Sequence, residues 1–141
     1  MSQLEGRLAP AIAPTTRVSK RVIAGRVISA LPILFLIFDG AIKQVKIAPV
    51  VDAFAQLGYS IELAPAIGIL ALVCTAIYAI PRTSILGAIL LTGYLGGAIA
   101  SQVRVGAAVF NVFFPIIIGS LMWGGLYLRD NRLRAVWPTR V

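Results

Sequence analysis

Four long apolar stretches, roughly Val22–Ile42, Pro65–Ile80, Ile85–Ala100 and Val109–Leu128, occupy about half of this 141-residue chain. A helix needs about 20 apolar residues to cross a hydrocarbon core about 30 Å thick. A single small domain has too little interior to hide four such helices from water. The chain therefore reads as an integral membrane protein whose spans pack as one all-α bundle of four transmembrane helices. Charged residues make up only 13% of it, against about 25% in an average soluble domain, and nearly all fall between the stretches.

That placement changes what the charge means. A net charge of +8 would suggest a nucleic-acid partner in a soluble protein. Here the basic residues flank apolar spans, so they read as topology signals facing lipid headgroups, with no nucleic-acid motif beside them. The chain has no His, so histidine-ligated haem and the common zinc sites lack their ligands. Glu5, Asp39, Asp52, Glu62 and Asp130 are too scattered to form a metal cage. Cys74 is alone, so it has no intrachain disulfide partner and belongs to no CxxC pair; it reads as a small apolar filler of the second span. No Ser–His–Asp set, phosphate-binding loop or dinucleotide glycine fingerprint is present. No catalytic residue is assigned, and a self-contained enzyme lacks its parts.

Three regions follow: a flexible tail over residues 1–19, a membrane domain over 20–129 and a basic tail over 130–141. Lys20, Arg21 and Arg26 mark a membrane boundary. The first stretch reads as an uncleaved span, because Asp39 and Lys43 stand where a secretory signal would need small residues. Pro32 falls mid-span, where it removes one backbone donor and favours a kink. Val50, Val51, Phe54, Ala55 and Leu57 have helical spacing with Asp52 and Gln56 opposite, which predicts a short interfacial helix ended by Gly58. Pro81-Arg82-Thr83-Ser84 is short enough to force the second and third spans into an antiparallel hairpin, with Thr83 or Ser84 capping the third. The fourth span carries Asn111 near its start and Pro115 inside it, and Trp123, Tyr127 and Trp137 form an aromatic belt at its end.

Among residues that pack, Gly93 and Gly97 make a GxxxG pair suited to a close helix–helix contact; a groove lined by glycine backbone is the other reading. The hydroxyls of Tyr78, Thr92 and Tyr94 are expected to bond across helices. Among residues that carry chemistry, Asp39 is foremost, because an ionisable group inside a span is costly. Lys43 lies one helical turn on and can pair with it. Two readings fit: a pair that neutralises itself near the interface, or a polar pocket opening outward, where Asp39 exchanges protons or holds a substrate group. Glu62, Gln102, Arg104 and Asn111 fall at the same end of their spans. Asp39, Lys43, Gln102, Arg104 and Asn111 are therefore the candidate ligand-binding set.

Several quoted segments also resemble a family. These are the run Ile80–Ala100, with Pro81-Arg82-Thr83-Ser84 and Thr92-Gly93-Tyr94-Leu95-Gly96-Gly97, then Val103-Arg104-Val105-Gly106 and Trp123-Gly124-Gly125-Leu126-Tyr127-Leu128-Arg129-Asp130, together with Gly40, Lys43 and Gly58-Tyr59. Over roughly residues 20–135 the chain is similar to the DoxX-like membrane proteins of bacteria. The resemblance implies a four-helix bundle in the bacterial cytoplasmic (inner) membrane. Through the family name's link to thiosulfate–quinone oxidoreductase subunits, and through relatives tied to membrane redox or thiol-stress complexes, it also implies quinone as a cofactor and a redox partner protein. Ala71 stands where a glutamate is common in the family, and Gln102 where a histidine is common. If those groups carry the family's chemistry, this chain either lacks it or relies on Asp39. Three roles stay open: an accessory lipophile- or quinone-binding subunit of a membrane redox system, a small-solute permease acting as a homo-oligomer, and a structural assembly factor without ligand.

Ten basic residues fall on the side of the two termini (Arg7, Arg17, Lys20, Arg21, Arg26, Arg82, Arg129, Arg132, Arg134 and Arg140) and three on the other (Lys43, Lys46 and Arg104). By the positive-inside rule both termini are cytoplasmic. Reporter tags at the two ends should therefore appear on the same, cytoplasmic face; tags on opposite faces would rule out an even number of crossings.

Overall fold

The computed structural model describes residues 17–136, so most of the N-terminal tail, with Arg7, and the C-terminal residues Trp137 and Arg140 lie outside the described residues. The fold is 86% helical and has no strand among the described residues. Helix α1 spans Lys20–Val45, α2 Ala48–Leu57, α3 Ala64–Ala79, α4 Ser84–Arg104, α5 Val109–Arg129 and α6 Asn131–Val136, with a single 3-10 turn at Ile61–Leu63. Four segments are long and apolar enough to cross a membrane: α1, α3 with its preceding turn, α4 and α5. The chain is a multi-pass membrane protein.

The punctuation between elements works as the sequence suggests, with one exception. Ser19 caps α1 by accepting the Arg21 amide at 3.3 Å. Pro32 is buried inside a helix that runs on past it. Pro49 and Pro65 stand in the first turns of α2 and α3, where a missing N–H costs nothing. Gly58 ends α2 in the left-handed conformation (φ 71°); its amide donates to Ala55 O and the Tyr59 amide to Phe54 O. Val50 and Phe54 are buried while Asp52 faces out, so α2 is amphipathic as expected. The exception is the hairpin. Thr83 occupies the cap position of α4 but makes no capping bond. Its hydroxyl donates to Ile77 O at 2.8 Å, and Ser84 donates to Ile80 O at 2.9 Å. Pro81 stops α3 and leaves those last carbonyls without helical donors, so the hydroxyls turn back to them.

Helix α1 packs against both α3 and α5, and α4 packs against the same two from the opposite corner. The result is a square bundle in which α1 and α4 face each other across a diagonal. Its two ends are built differently. At the end that carries Lys20 and Arg129, the interior is solid. A methyl added at Gly25 would stand 2.8 Å from the Gly125 carbonyl oxygen, and one at Gly87 would overlap the Tyr78 backbone. Tyr78 is wholly buried; its hydroxyl donates to Met122 O at 2.7 Å and sits 3.1 Å from Ser29 Oγ. The Arg129 guanidinium lies 4.9 Å over the Tyr78 ring and donates to Tyr78 O at 3.3 Å. Leu91, Met122 and Leu126 fill the remaining space. The basic segment after α5 opens with the short helix α6, whose Leu133 is buried against this core.

The opposite end is held along one seam. Gly40 and Gly68 bring α1 and α3 together, so that a methyl on Gly40 would come 2.9 Å from Gly68 O. Gln44 then bridges the seam, donating to Gly40 O and Pro65 O. Gly93 and Gly97, where a close helix–helix contact is expected, make none among the described residues: a methyl at either position meets nothing within 4 Å. Both face open space because α4 turns that side toward a cavity.

This arrangement separates two sets of glycine variants. Gly87→Ala and Gly125→Ala should each lower stability by about 1–3 kcal/mol through overpacking. Gly93→Ala and Gly97→Ala should be neutral or slightly stabilising, since Ala is the better helix former. Thermal unfolding of the detergent-purified variants measures all four.

Candidate functional site

The half of the bundle away from the termini encloses a cavity of about 680 Å³, within the range typical of small-molecule sites. Its walls are mainly apolar. Phe35 and Leu36 come from α1, Ile67, Leu70 and Cys74 from α3, and Phe110, Phe114 and Ile118 from α5. On α4 the lining residues Leu90, Gly93, Gly97 and Ser101 recur every three or four positions, the stripe of a single helical face. Helix α2 covers the mouth with Ala53, Phe54 and Leu57. Beyond its inner end stand Leu91, Met122 and Tyr78, each at 0% exposure, so the cavity does not continue to the end that carries the termini.

Its polar equipment is concentrated. Asp39 and Lys43 both line the cavity and form an ion pair one turn apart on α1. Their side chains are 26% and 13% exposed, so bulk water screens them little. Tyr94 reaches them from α4, across the diagonal of the bundle. Its hydroxyl donates to Asp39 Oδ2 at 3.3 Å and accepts from Lys43 Nζ at 3.4 Å. The three groups form a closed triangle in which one phenol contacts both charges. The neighbouring Gly93 and Gly97 add no side chains to that face of α4. Nearer the mouth, Ser101 donates to Gly97 O at 2.8 Å, so its oxygen receives the Tyr59 hydroxyl, also at 2.8 Å.

The five candidate residues therefore divide. Asp39, Lys43, Gln102 and Asn111 share the cavity, whereas Arg104 does not line it. The Gln102 and Asn111 side chains make no hydrogen bond to any described residue, so their amides are available to a ligand. Arg104 instead donates to the Leu57 carbonyl and stacks over the Tyr59 ring at 5.4 Å. It satisfies a carbonyl that the end of α2 leaves open. Glu62 is also outside the cavity, paired at 3.1 Å with Lys46. Tyr94, Tyr59 and Ser101 also belong to the site, although the sequence alone marks Tyr94 only as an interhelical hydroxyl. Its position in the middle of an otherwise apolar span was a usable signal, although its partners were not legible. Ala71, at the position where the resemblance leads one to look for a carboxylate, is fully buried away from the cavity, whereas Gln102 lines it.

Arg104→Gln should loosen the last turn of α2 and leave the spans intact. Amide exchange at Gly58 and Tyr59 should quicken roughly threefold to tenfold, the equivalent of about 0.7–1.4 kcal/mol of hydrogen bonding. Hydrogen–deuterium exchange of the protein in detergent checks this against unchanged rates in α3.

Comparison with known proteins adds one match. Residues 27–125 fit the DoxX-like family. No curated protein and no solved structure matches the chain. The matched stretch begins in the second turn of α1 and ends at the Gly125 contact in α5, so it takes in the cavity and the Asp39–Lys43–Tyr94 triangle. It covers well over half of the sequence, and the chain belongs to the DoxX-like family.

Proposed function

We propose that this protein is an accessory subunit of a membrane redox system that holds a lipophilic small molecule of the quinone class in its cavity. The observation that carries the reading is the lining of that cavity: apolar walls that carry one hydrogen-bonding cluster inside the bundle. The residues suit a quinone. Phe35 and Phe114 offer flat apolar surface and the α3 side chains aliphatic surface, while Lys43, Gln102 and Asn111 offer donors to ring oxygens. A bound quinone would supply the capacity to take up electrons and protons. The chain's own residues would bind it, orient its polar ring and keep water away. Electrons would come from a partner protein, because the sequence has no His and a single Cys. The basic end of the bundle is the cytoplasmic one on this reading, in a bacterial inner membrane, and the cavity opens toward the other side.

The permease role needs a path through the bundle. The packing of Tyr78, Met122 and Leu126 at 0% exposure argues against one within a single copy, so that role would require a homo-oligomer. The ligand-free assembly role predicts that Asp39→Asn and Lys43→Met change nothing except stability.

Gly93→Leu/Gly97→Leu tests the reading directly, since both glycines line the cavity and a Cβ at either meets nothing within 4 Å. Mass spectrometry of purified protein should detect a co-purifying quinone or similar lipophile. That signal should fall about tenfold or more in the filled variant, whose melting temperature should stay near wild type. A lipophile signal indifferent to filling, or solute flux in proteoliposomes abolished by Asp39→Asn, would overturn the proposal.

A further inference from the structure

Resting on the reading of the cavity as a lipophile site, we infer that it selects ligands by the charge of their polar head, and that the Asp39–Lys43 pair makes it specific for electrically neutral heads. These two are the only charged residues lining the cavity, and each is the other's partner, so the lining carries no net charge. An ammonium has three protons to donate. Lys43 directs one at Asp39 and one at Tyr94, which leaves one for a ligand. Asp39 engages Oδ2 alone, which leaves Oδ1 as an acceptor. Gln102 and Asn111 each add an unengaged amide, both donor and acceptor. The set matches a hydroxyl, carbonyl or amide head that exchanges hydrogen bonds in both directions. An anionic head on the remaining Lys43 proton would set two anions against one ammonium, and so leave a net negative charge among Phe35, Leu36 and Phe114. A cationic head on Asp39 Oδ1 would likewise set two cations against one carboxylate. A poorly solvated charge left uncompensated is much more costly than a whole ion pair. The pair thus acts against both signs of charge, and removing either member should open the cavity to one of them.

The test uses the full-length protein in neutral detergent with three single-chain probes that differ only in the head: radiolabelled dodecanol, dodecanoate and dodecylamine, at about pH 8, where they are neutral, anionic and cationic respectively. Retention after desalting is measured for wild type, Asp39→Asn, Lys43→Met, Asp39→Asn/Lys43→Met and the cavity-filled Gly93→Leu/Gly97→Leu. Wild type should retain dodecanol about tenfold or more over the charged probes, and filling the cavity should abolish this. Asp39→Asn should raise dodecanoate retention about tenfold, and Lys43→Met should do the same for dodecylamine. The double variant, which has no charge to offset that of a head, should keep its preference for dodecanol, which controls for a general loss of structure. Retention that filling abolishes but head charge does not affect would overturn the inference and leave the lipophile reading intact. Retention of no probe, or retention that survives filling, would overturn both.

Discussion

Hydrocarbon supplies no hydrogen bonds, so every polar group carried into the bilayer must find its partner within the chain. This constraint explains the placement of most polar side chains in the bundle. Thr75, Thr92 and Ser120 return their protons to carbonyls one turn back on their own helices. Thr92 then accepts the Trp123 indole from α5 at 2.8 Å, so one hydroxyl serves two helices. Tyr78 is the largest instance. Its hydroxyl, ring and carbonyl are each engaged, by Met122, by Arg129 and again by Arg129, and this ties α3 to α5 where neither has apolar surface to gain by associating.

Solving that problem densely at one end leaves the other end free to be hollow. Gly25 against Gly125 and Gly87 against Tyr78 draw the helices together near the termini, while a single glycine seam, Gly40 against Gly68, does so at the far end. Where α4 stands away from α1, Tyr94 is the side chain that crosses the gap, and it ends on the only ion pair inside the spans. The cavity is therefore a consequence of unequal packing, and the polar cluster on its wall follows from the need to keep Asp39 and Lys43 partnered away from water. Because Arg104 is occupied with the end of α2, the helix covering the mouth is fixed by the bundle instead of by the lipid.

The parts of this structure that were legible in the sequence depend on neighbours along the chain. Span lengths follow from runs of apolar residues. The interfacial helix and its end follow from the spacing of Val50, Phe54 and Gly58, and the hairpin from Pro81. The Asp39–Lys43 pair follows from a separation of four on one helix. What was not legible depends on how each helix is rotated about its axis. A GxxxG pattern states that one helical face is small and does not state what faces it; at Gly93 and Gly97 that is a cavity, while the tight contacts fall to glycines far apart in sequence. Arg104 and Gln102 are two residues apart at the end of α4, so they point to different sides, one to the α2 carbonyl and one into the cavity. Tyr94 meets Asp39 only because α1 and α4 occupy opposite corners of the square, which no local pattern encodes.

A bundle that is solid at one end and hollow at the other does not yield evenly. Close-packed interiors resist compression, so the region around Tyr78 holds its helix spacing when the surrounding lipid presses on the protein. The far end, drawn together along the single Gly40–Gly68 seam beside a cavity, has less close-packed interior with which to oppose the same pressure.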